Sequence, residues 1–203
     1  MICSEHLNYD NPNAYDGMYA NNPQAEREND AFYLAACDLL DFSRPILDLG
    51  CGTGLVADLL EHKMQSHYVG VDNSEDMIQH CRKKYSNPNY LFYHDSAEEF
   101  IDNMPDKLSS ANCVSIYALD HMDPLIVKQI VKKLTGPCLF IIFNNPWKEG
   151  SASAWAGREG QFKEECEQRS KKVYLELFKH GFRITNFLQQ PYYFIATRSV
   201  VGE

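Results

Sequence analysis

The run Asp48-Leu49-Gly50-Cys51-Gly52-Thr53-Gly54 places a carboxylate two residues ahead of three alternating glycines. Glycine has no Cβ, so a turn built this way lets another group approach its backbone closely. Backbone N–H groups at the mouth of a helix bind a pyrophosphate well. The dinucleotide fingerprint G-x-G-x-x-G, however, needs glycine at position 55, where this chain has Leu55. A carboxylate at 48 would also repel a diphosphate, whereas it favours a ligand carrying a cation, such as an ammonium or a sulfonium.

Three further polar points follow at the ends of apolar runs. Asp72, 18 residues beyond Gly54, sits where a carboxylate takes both hydroxyls of a ribose, with Asn73 next to it. Asp95-Ser96 is suited to the amino edge of an adenine. Ser115 to Tyr117 ends a fourth run. Asp72 and Asp95 are each also placed to cap the helix that follows. Beyond Tyr117 come Asp120 and His121. A histidine titrates near neutrality and can take a proton from an acceptor, or it can simply pack and orient its loop. Arg27, in an amphipathic stretch upstream, is placed either to reach a ligand carboxylate or to lie on a solvated helix face.

These points fall on a regular alternation of elements. The spacing of Ala31, Leu34, Ala35, Leu39 and Leu40 predicts an amphipathic helix over Gln24–Asp41. "PILDLG" reads as a strand and Leu55–Lys63 as a helix. "HYVGVD" is a second strand, and Ser74 caps a helix through about Lys84 with Glu75 and Asp76 in its first turn. "NYLFYH" precedes a helix over Ala97–Asn103. "NCVSIYAL" precedes one from Pro124 to Leu134, with proline at its first position. "PCLFIIF" is a fifth strand. The irregular 144–160 insert, "NNPWKEGSASAWAGREG", leads to a long helix over Gln161–His180 closed by Gly181. Two strands around a Gln-Gln-Pro turn end the chain. Strand–helix alternation implies right-handed crossovers and a mostly parallel sheet covered on both faces, while the closing hairpin must be antiparallel.

The totals exclude several classes. A chain of 203 residues, 44% apolar and 23% charged, suits one domain with a full core. No stretch approaches the roughly 20 apolar residues of a membrane span, and the N-terminal residues lack a basic start followed by an apolar run, so a cytoplasmic protein is expected. Nineteen Lys and Arg against 28 Asp and Glu give a formal charge of −9, which disfavours a nucleic-acid substrate; the basic group Arg169, Lys171, Lys172 reads as a solvated helix face. Seven scattered cysteines form no C-x-x-C pair, so neither a metal site nor a disulfide framework is expected. No H-E-x-x-H, no P-loop and no internal repeat occurs.

With these residues in view, the chain resembles the class I S-adenosylmethionine-dependent methyltransferases, nearest to their small ubiquinone-biosynthesis-like group. "ILDLGCGTG" resembles the family's glycine motif in full, "VGVDNSEDMI" its ribose-binding stretch, "YHDSAEEF" its adenine-edge stretch and "SIYALDHM" its strand-four stretch. "YDGMY" resembles the Tyr-Asp segment that lids the cofactor. The likeness spans most of residues 15–143. "NNPW" is not the amino-methylating motif, because it follows the fifth strand and lacks the second proline.

The resemblance implies a Rossmann-like, doubly wound α/β sheet of seven strands, mostly parallel with the last antiparallel and helices on both faces. It implies a single domain: an arm and helix over 1–41 as lid, a cofactor-binding core over 42–143, the insert, and a C-terminal helix and hairpin over 161–203. S-adenosyl-L-methionine would be held by Tyr15, Tyr19, Arg27, Asp48, Gly50, Cys51, Gly52, Gly54, Asp72, Asn73, Met77, Asp95, Ser96 and Ser115. His121 and Asp120 would serve catalysis. Tyr19, His121, Trp147 and Trp155 would face a small-molecule acceptor in an aromatic pocket, to which Tyr9, Phe162 and Tyr192 are further candidates. A monomer or homodimer is expected. Two alternatives stay open: an enzyme that methylates RNA or protein through a partner, and a silent methyltransferase-like subunit.

Overall fold

A computed structural model of the chain describes residues 11–13, 16, 23–143, 171–186 and 193–200. Helix α1 (Pro23–Leu39) enters the fold, followed by β1 (Ile46–Leu49), α2 (Leu55–Leu60), β2 (Tyr68–Asp72), α3 (Glu75–Lys84), β3 (Tyr90–His94) and α4 (Ala97–Asn103). Then come β4 (Asn112–Ile116), α5 (Pro124–Lys133), β5 (Cys138–Phe143), helical residues 171–179 (α6), β6 (Arg183–Asn186) and β7 (Tyr193–Arg198).

The strands form one sheet in the order β3-β2-β1-β4-β5-β7-β6. The first five run parallel, and β7 pairs antiparallel with both β5 and β6. Side chains of a strand alternate between faces, and the core divides accordingly. Leu47 and Leu49 of β1 join Val127 and Ile130 of α5 and Val173 and Leu177 of α6 on one face. Ile46 joins Phe32 and Ala36 of α1, Val56 of α2 and Ile78 of α3 on the other. These two layers make the expected doubly wound sheet, with the reversed strand β7 one place in from the edge.

Most element ends match the sequence reading. Ser74 caps α3 by accepting from the Met77 N–H, and Gly181 closes α6 at φ +78°, with the Phe182 N–H returning to the Leu177 carbonyl. Three ends differ. β4 stops at Ile116 rather than running to Leu119, because Tyr117 takes a left-handed φ of 57° and a 3-10 turn forms over Leu119–His121. α2 ends at Leu60 rather than Lys63, where the N–H groups of Lys63 and Met64 both turn back to the Leu60 carbonyl. The expected helix over Gln161–His180 is described only from 171, and the Gln-Gln-Pro turn lies outside the described residues.

Candidate cofactor site

β1 sits where the strand order reverses, with β2 on one side and β4 on the other. In an open parallel sheet that reversal opens a crevice beyond the carboxyl ends of the strands, and ligands bind there. The glycine turn fills the position. Gly50, Gly52 and Gly54 take φ of +76°, +51° and +87°, the left-handed region that side-chain-bearing residues disfavour. The Val71 carbonyl anchors the start of the turn by accepting from the N–H groups of Gly50 (2.8 Å) and Cys51 (3.0 Å). Gly50 and Gly52 are half-exposed, while Gly54 is buried. A Cβ on Gly50 would lie 2.2 Å from the Cβ of Ala118, so the first glycine also admits the loop that follows β4.

Two carboxylates gather at this turn. Asp72 Oδ2 accepts from the Gly52 N–H at 2.8 Å and Oδ1 from the Ser74 N–H at 2.9 Å, which ties the turn to the start of α3. The side chain stays half-exposed, and each carboxylate oxygen carries two lone pairs. Asp48 lies at 1% exposure. Its Oδ2 accepts from the Tyr68 hydroxyl at 2.5 Å, while Oδ1 is fully buried with no hydrogen-bond partner among the described residues. Burial pushes the Asp48 carboxyl up to about 7, against the Tyr68 hydrogen bond and with the nearby Asp72 charge adding to the rise. An orphaned acidic oxygen beside a second carboxylate fits a ligand that brings positive charge, and the half-exposed glycine backbone leaves room for its chain.

A stability prediction follows from Asp48. The native state keeps a proton there that the unfolded chain releases above pH about 4. The folded state is therefore favoured below that value, and the contribution is lost as pH rises towards about 7. Asp48→Asn should leave stability near wild type at pH 5 and raise it above wild type at pH 8, measured by urea unfolding. Equal differences at both pH values would contradict the assignment.

The structure places the other anticipated residues differently. Ser96 caps α4: its hydroxyl accepts from the Glu99 N–H at 3.1 Å and donates to the Glu99 carboxylate at 3.0 Å, which commits the hydroxyl locally. The cap therefore belongs to Ser96 and not to Asp95, and the paired reading of Asp95-Ser96 as an adenine edge reduces to Asp95. Asp95 is half-buried, and its carboxyl is raised by that burial and by Glu99. Ser115 is fully buried and donates to the Leu49 carbonyl at 2.7 Å; it straps β4 to β1 rather than opening towards a ligand. Met77 is buried on the first turn of α3, and Asn73 is exposed.

Cys51 is buried too, and the adjacent Cys81 thiol together with burial pushes its own thiol well above the ordinary range, so it is no thiolate nucleophile. His121 is exposed on the 3-10 turn after β4. Asp16 of the arm lies 3.9 Å from His80 of α3. Tyr9, Tyr15, Tyr19, Trp147, Trp155, Phe162, Arg169 and Tyr192, and the side chains of Arg27 and Asp120, lie outside the described residues.

Four contributors escaped the sequence reading. Tyr68, the partner of Asp48, reads as an ordinary strand aromatic. Ala118 gives no signal in sequence. Lys84 and Tyr85 meet the glycine turn from the end of α3, a contact with no signal in sequence.

Residues 46–136, which hold the glycine turn, Asp72 and Asp95, match the methyltransferase domain family. A SAM-dependent methyltransferase from Aquifex aeolicus shares the fold at a TM-score of 0.64, over 94% of this chain and 99% of that one, at 14% identity. Residues 46–136 thus resemble a methyltransferase domain, and the sheet as a whole has the fold of S-adenosylmethionine-dependent methyltransferases.

Among curated proteins, carboxy-S-adenosyl-L-methionine synthase of Sulfurimonas denitrificans is 36% identical over 43% of this chain and 37% of its own length. Trans-aconitate 2-methyltransferase of Rhodopseudomonas palustris is 31% identical over 48% and 38%. The chain thus matches under two fifths of the length of these relatives.

Proposed function

We propose that the protein is an enzyme that transfers the methyl group of S-adenosylmethionine to a small-molecule acceptor. The observation that carries this reading is the turn itself: half-exposed Gly50 and Gly52, a buried Asp48 with one orphaned oxygen beneath them, and Asp72 bonded to the Gly52 N–H. Bound there, the cofactor supplies a methyl carbon activated by its sulfonium.

The chain's own residues bind, orient and exclude water. The Gly50–Gly54 backbone and Asp48 take the methionine end, where Asp48 gives up its proton beside the ligand's positive charge and becomes the counter-charge. Arg27 offers a partner for the methionine carboxylate. Asp72, with Asn73, takes the ribose hydroxyls, while Met77 and Asp95 flank the adenine. Tyr15 and Tyr19 close over the cofactor from the arm. Holding acceptor and methyl in line accounts for most of the rate in such a displacement, and His121, with Asp120 beside it, takes a proton where the acceptor is a neutral hydroxyl. Trp147 and Trp155 supply an aromatic, water-poor wall suited to a small or planar molecule.

Three features support a small acceptor: the net charge of −9, the short 144–160 insert, and a relative named for a small acid. Incubating the protein and tritiated cofactor with a cell lysate, then separating small-molecule, protein and RNA fractions, tests this. Label in the small-molecule fraction is expected; label confined to protein or RNA would overturn it.

A further inference from the structure

Helix α3 meets the glycine turn at three successive carbonyls. The Cys81 thiol donates to the Gly52 carbonyl at 3.2 Å, Lys84 Nζ to that of Thr53 at 3.4 Å, and the Tyr85 hydroxyl to that of Gly54 at 2.8 Å. Cys81 and Lys84 share one face of α3, at i and i+3, and Tyr85 follows as its extended C-cap. Each is itself held in place. Cys81 is fully buried. Lys84 Nζ pairs with Asp58 Oδ2 at 2.6 Å and lies 5.1 Å from the centre of the Tyr85 ring. Tyr85 stacks on Tyr90 at 5.2 Å with the planes 2° apart, and on Phe92 at 5.4 Å.

The single phenolic proton of Tyr85 is shared between the Gly54 carbonyl and Asp58 Oδ1, the latter at 2.7 Å. Burial, then the Asp58 hydrogen bond, raises the phenol, so it stays a donor. A Cβ on Gly54 would lie 2.6 Å from the Tyr85 hydroxyl oxygen. The third glycine therefore makes room for Tyr85, whereas the half-exposed first and second face the crevice side of the turn.

The consequence concerns the peptide groups. In a trans peptide the C=O and the next N–H point in opposite directions. Carbonyls drawn to α3 at 52, 53 and 54 therefore turn the N–H groups of Thr53, Gly54 and Leu55 away from it. The Gly54 N–H closes back on the Cys51 carbonyl at 2.9 Å, which leaves those of Thr53 and Leu55 aimed away from α3. Asp72 meanwhile ties the Gly52 N–H to the start of the same helix. One helix thus grips the turn from both its ends.

We propose that Cys81, Lys84 and Tyr85 are positioning residues that preset the glycine turn in its cofactor-receiving form, so that cofactor affinity depends on a helix end with no direct part in the chemistry. This rests on the cofactor reading given under Proposed function. A preset turn binds more tightly than one that must be ordered on binding, because the ordering cost has already been met.

The test is isothermal titration of S-adenosylhomocysteine into wild type, Tyr85→Phe, Lys84→Met, Tyr85→Phe/Lys84→Met, Cys81→Ala and Cys81→Ser. Tyr85→Phe keeps the ring stack and removes the hydroxyl, and should weaken binding about fivefold, as for one hydrogen bond. The double variant should weaken it more than either single one. Cys81→Ser should regain most of what Cys81→Ala loses. The amide resonances of residues 52–55 should move in ligand-free Tyr85→Phe. Lower melting temperatures with an unchanged Kd and unmoved amides would mean a packing role alone and would overturn the proposal. Should Tyr85→Phe not fold, the Lys84 and Cys81 variants decide on the same criterion. No binding by folded wild type would overturn the cofactor reading and this proposal together.

Discussion

Asp72→Ala should weaken S-adenosylhomocysteine binding by about 100-fold or more. In the proposed complex the carboxylate takes two ribose hydroxyls, and hydrogen bonds to a charged group are each worth about 1.5–3 kcal/mol. The same side chain holds the Gly52 N–H at 2.8 Å and the Ser74 N–H at 2.9 Å, so its removal also frees the turn from the start of α3. Asp72→Asn separates the two effects, because the amide oxygen still accepts from one backbone N–H while the charge is gone. It should fold with a melting temperature near wild type and still bind at least about tenfold more weakly. Titration calorimetry reads both variants, and a Kd within about threefold of wild type in Asp72→Ala would remove the ribose assignment.

Gly50→Ala should be strongly destabilising. Its left-handed φ of +76° costs a residue with a Cβ about 1–2 kcal/mol. The new carbon would stand 2.2 Å from the Cβ of Ala118, and overpacking of that kind costs about 1–3 kcal/mol more. For a chain of this size each kcal/mol lowers the melting temperature by about 2–4 °C, so a loss of roughly 4–20 °C is expected, together with loss of cofactor binding. Ala118→Gly on the Gly50→Ala background removes the clash but not the backbone strain, and should return about half of the lost stability. Differential scanning calorimetry on the two variants checks this; a melting temperature unchanged in Gly50→Ala would contradict the close approach.

Much of this arrangement was legible in the sequence because it rests on local chemistry. The periods of apolar residues mark the strands and helices, Ser74 announces the start of α3, and Gly181 the end of α6. Asp48, the three glycines and Asp72 meet at one turn, as expected, because turn geometry and strand ends are encoded within a few residues. What escaped depends on contacts between distant segments. The Tyr68–Asp48 hydrogen bond joins residues 20 apart, and the Tyr85–Gly54 contact joins residues 31 apart. Neither has a periodic signature.

Ser115 and Ser96 mislead for a related reason. A serine at a strand end looks like a ligand donor in sequence, yet a backbone carbonyl claims one and a helix N-terminus the other. The end of β4 also differs because Tyr117 leaves the extended region, at the boundary that carries Ala118 against Gly50. Backbone strain of this kind clusters at functional sites, and no propensity pattern predicts it.

The central claim is that the glycine turn, with Asp48 and Asp72, receives the S-adenosyl cofactor. Titrating S-adenosylhomocysteine into isotopically labelled protein while following the backbone amides of Gly50, Gly52, Gly54 and Asp72 tests it most directly. Saturable shifts at these four, with one dissociation constant matching calorimetry, are the predicted result. Binding that leaves these amides in place while moving others, or no shift at any concentration, would contradict the account.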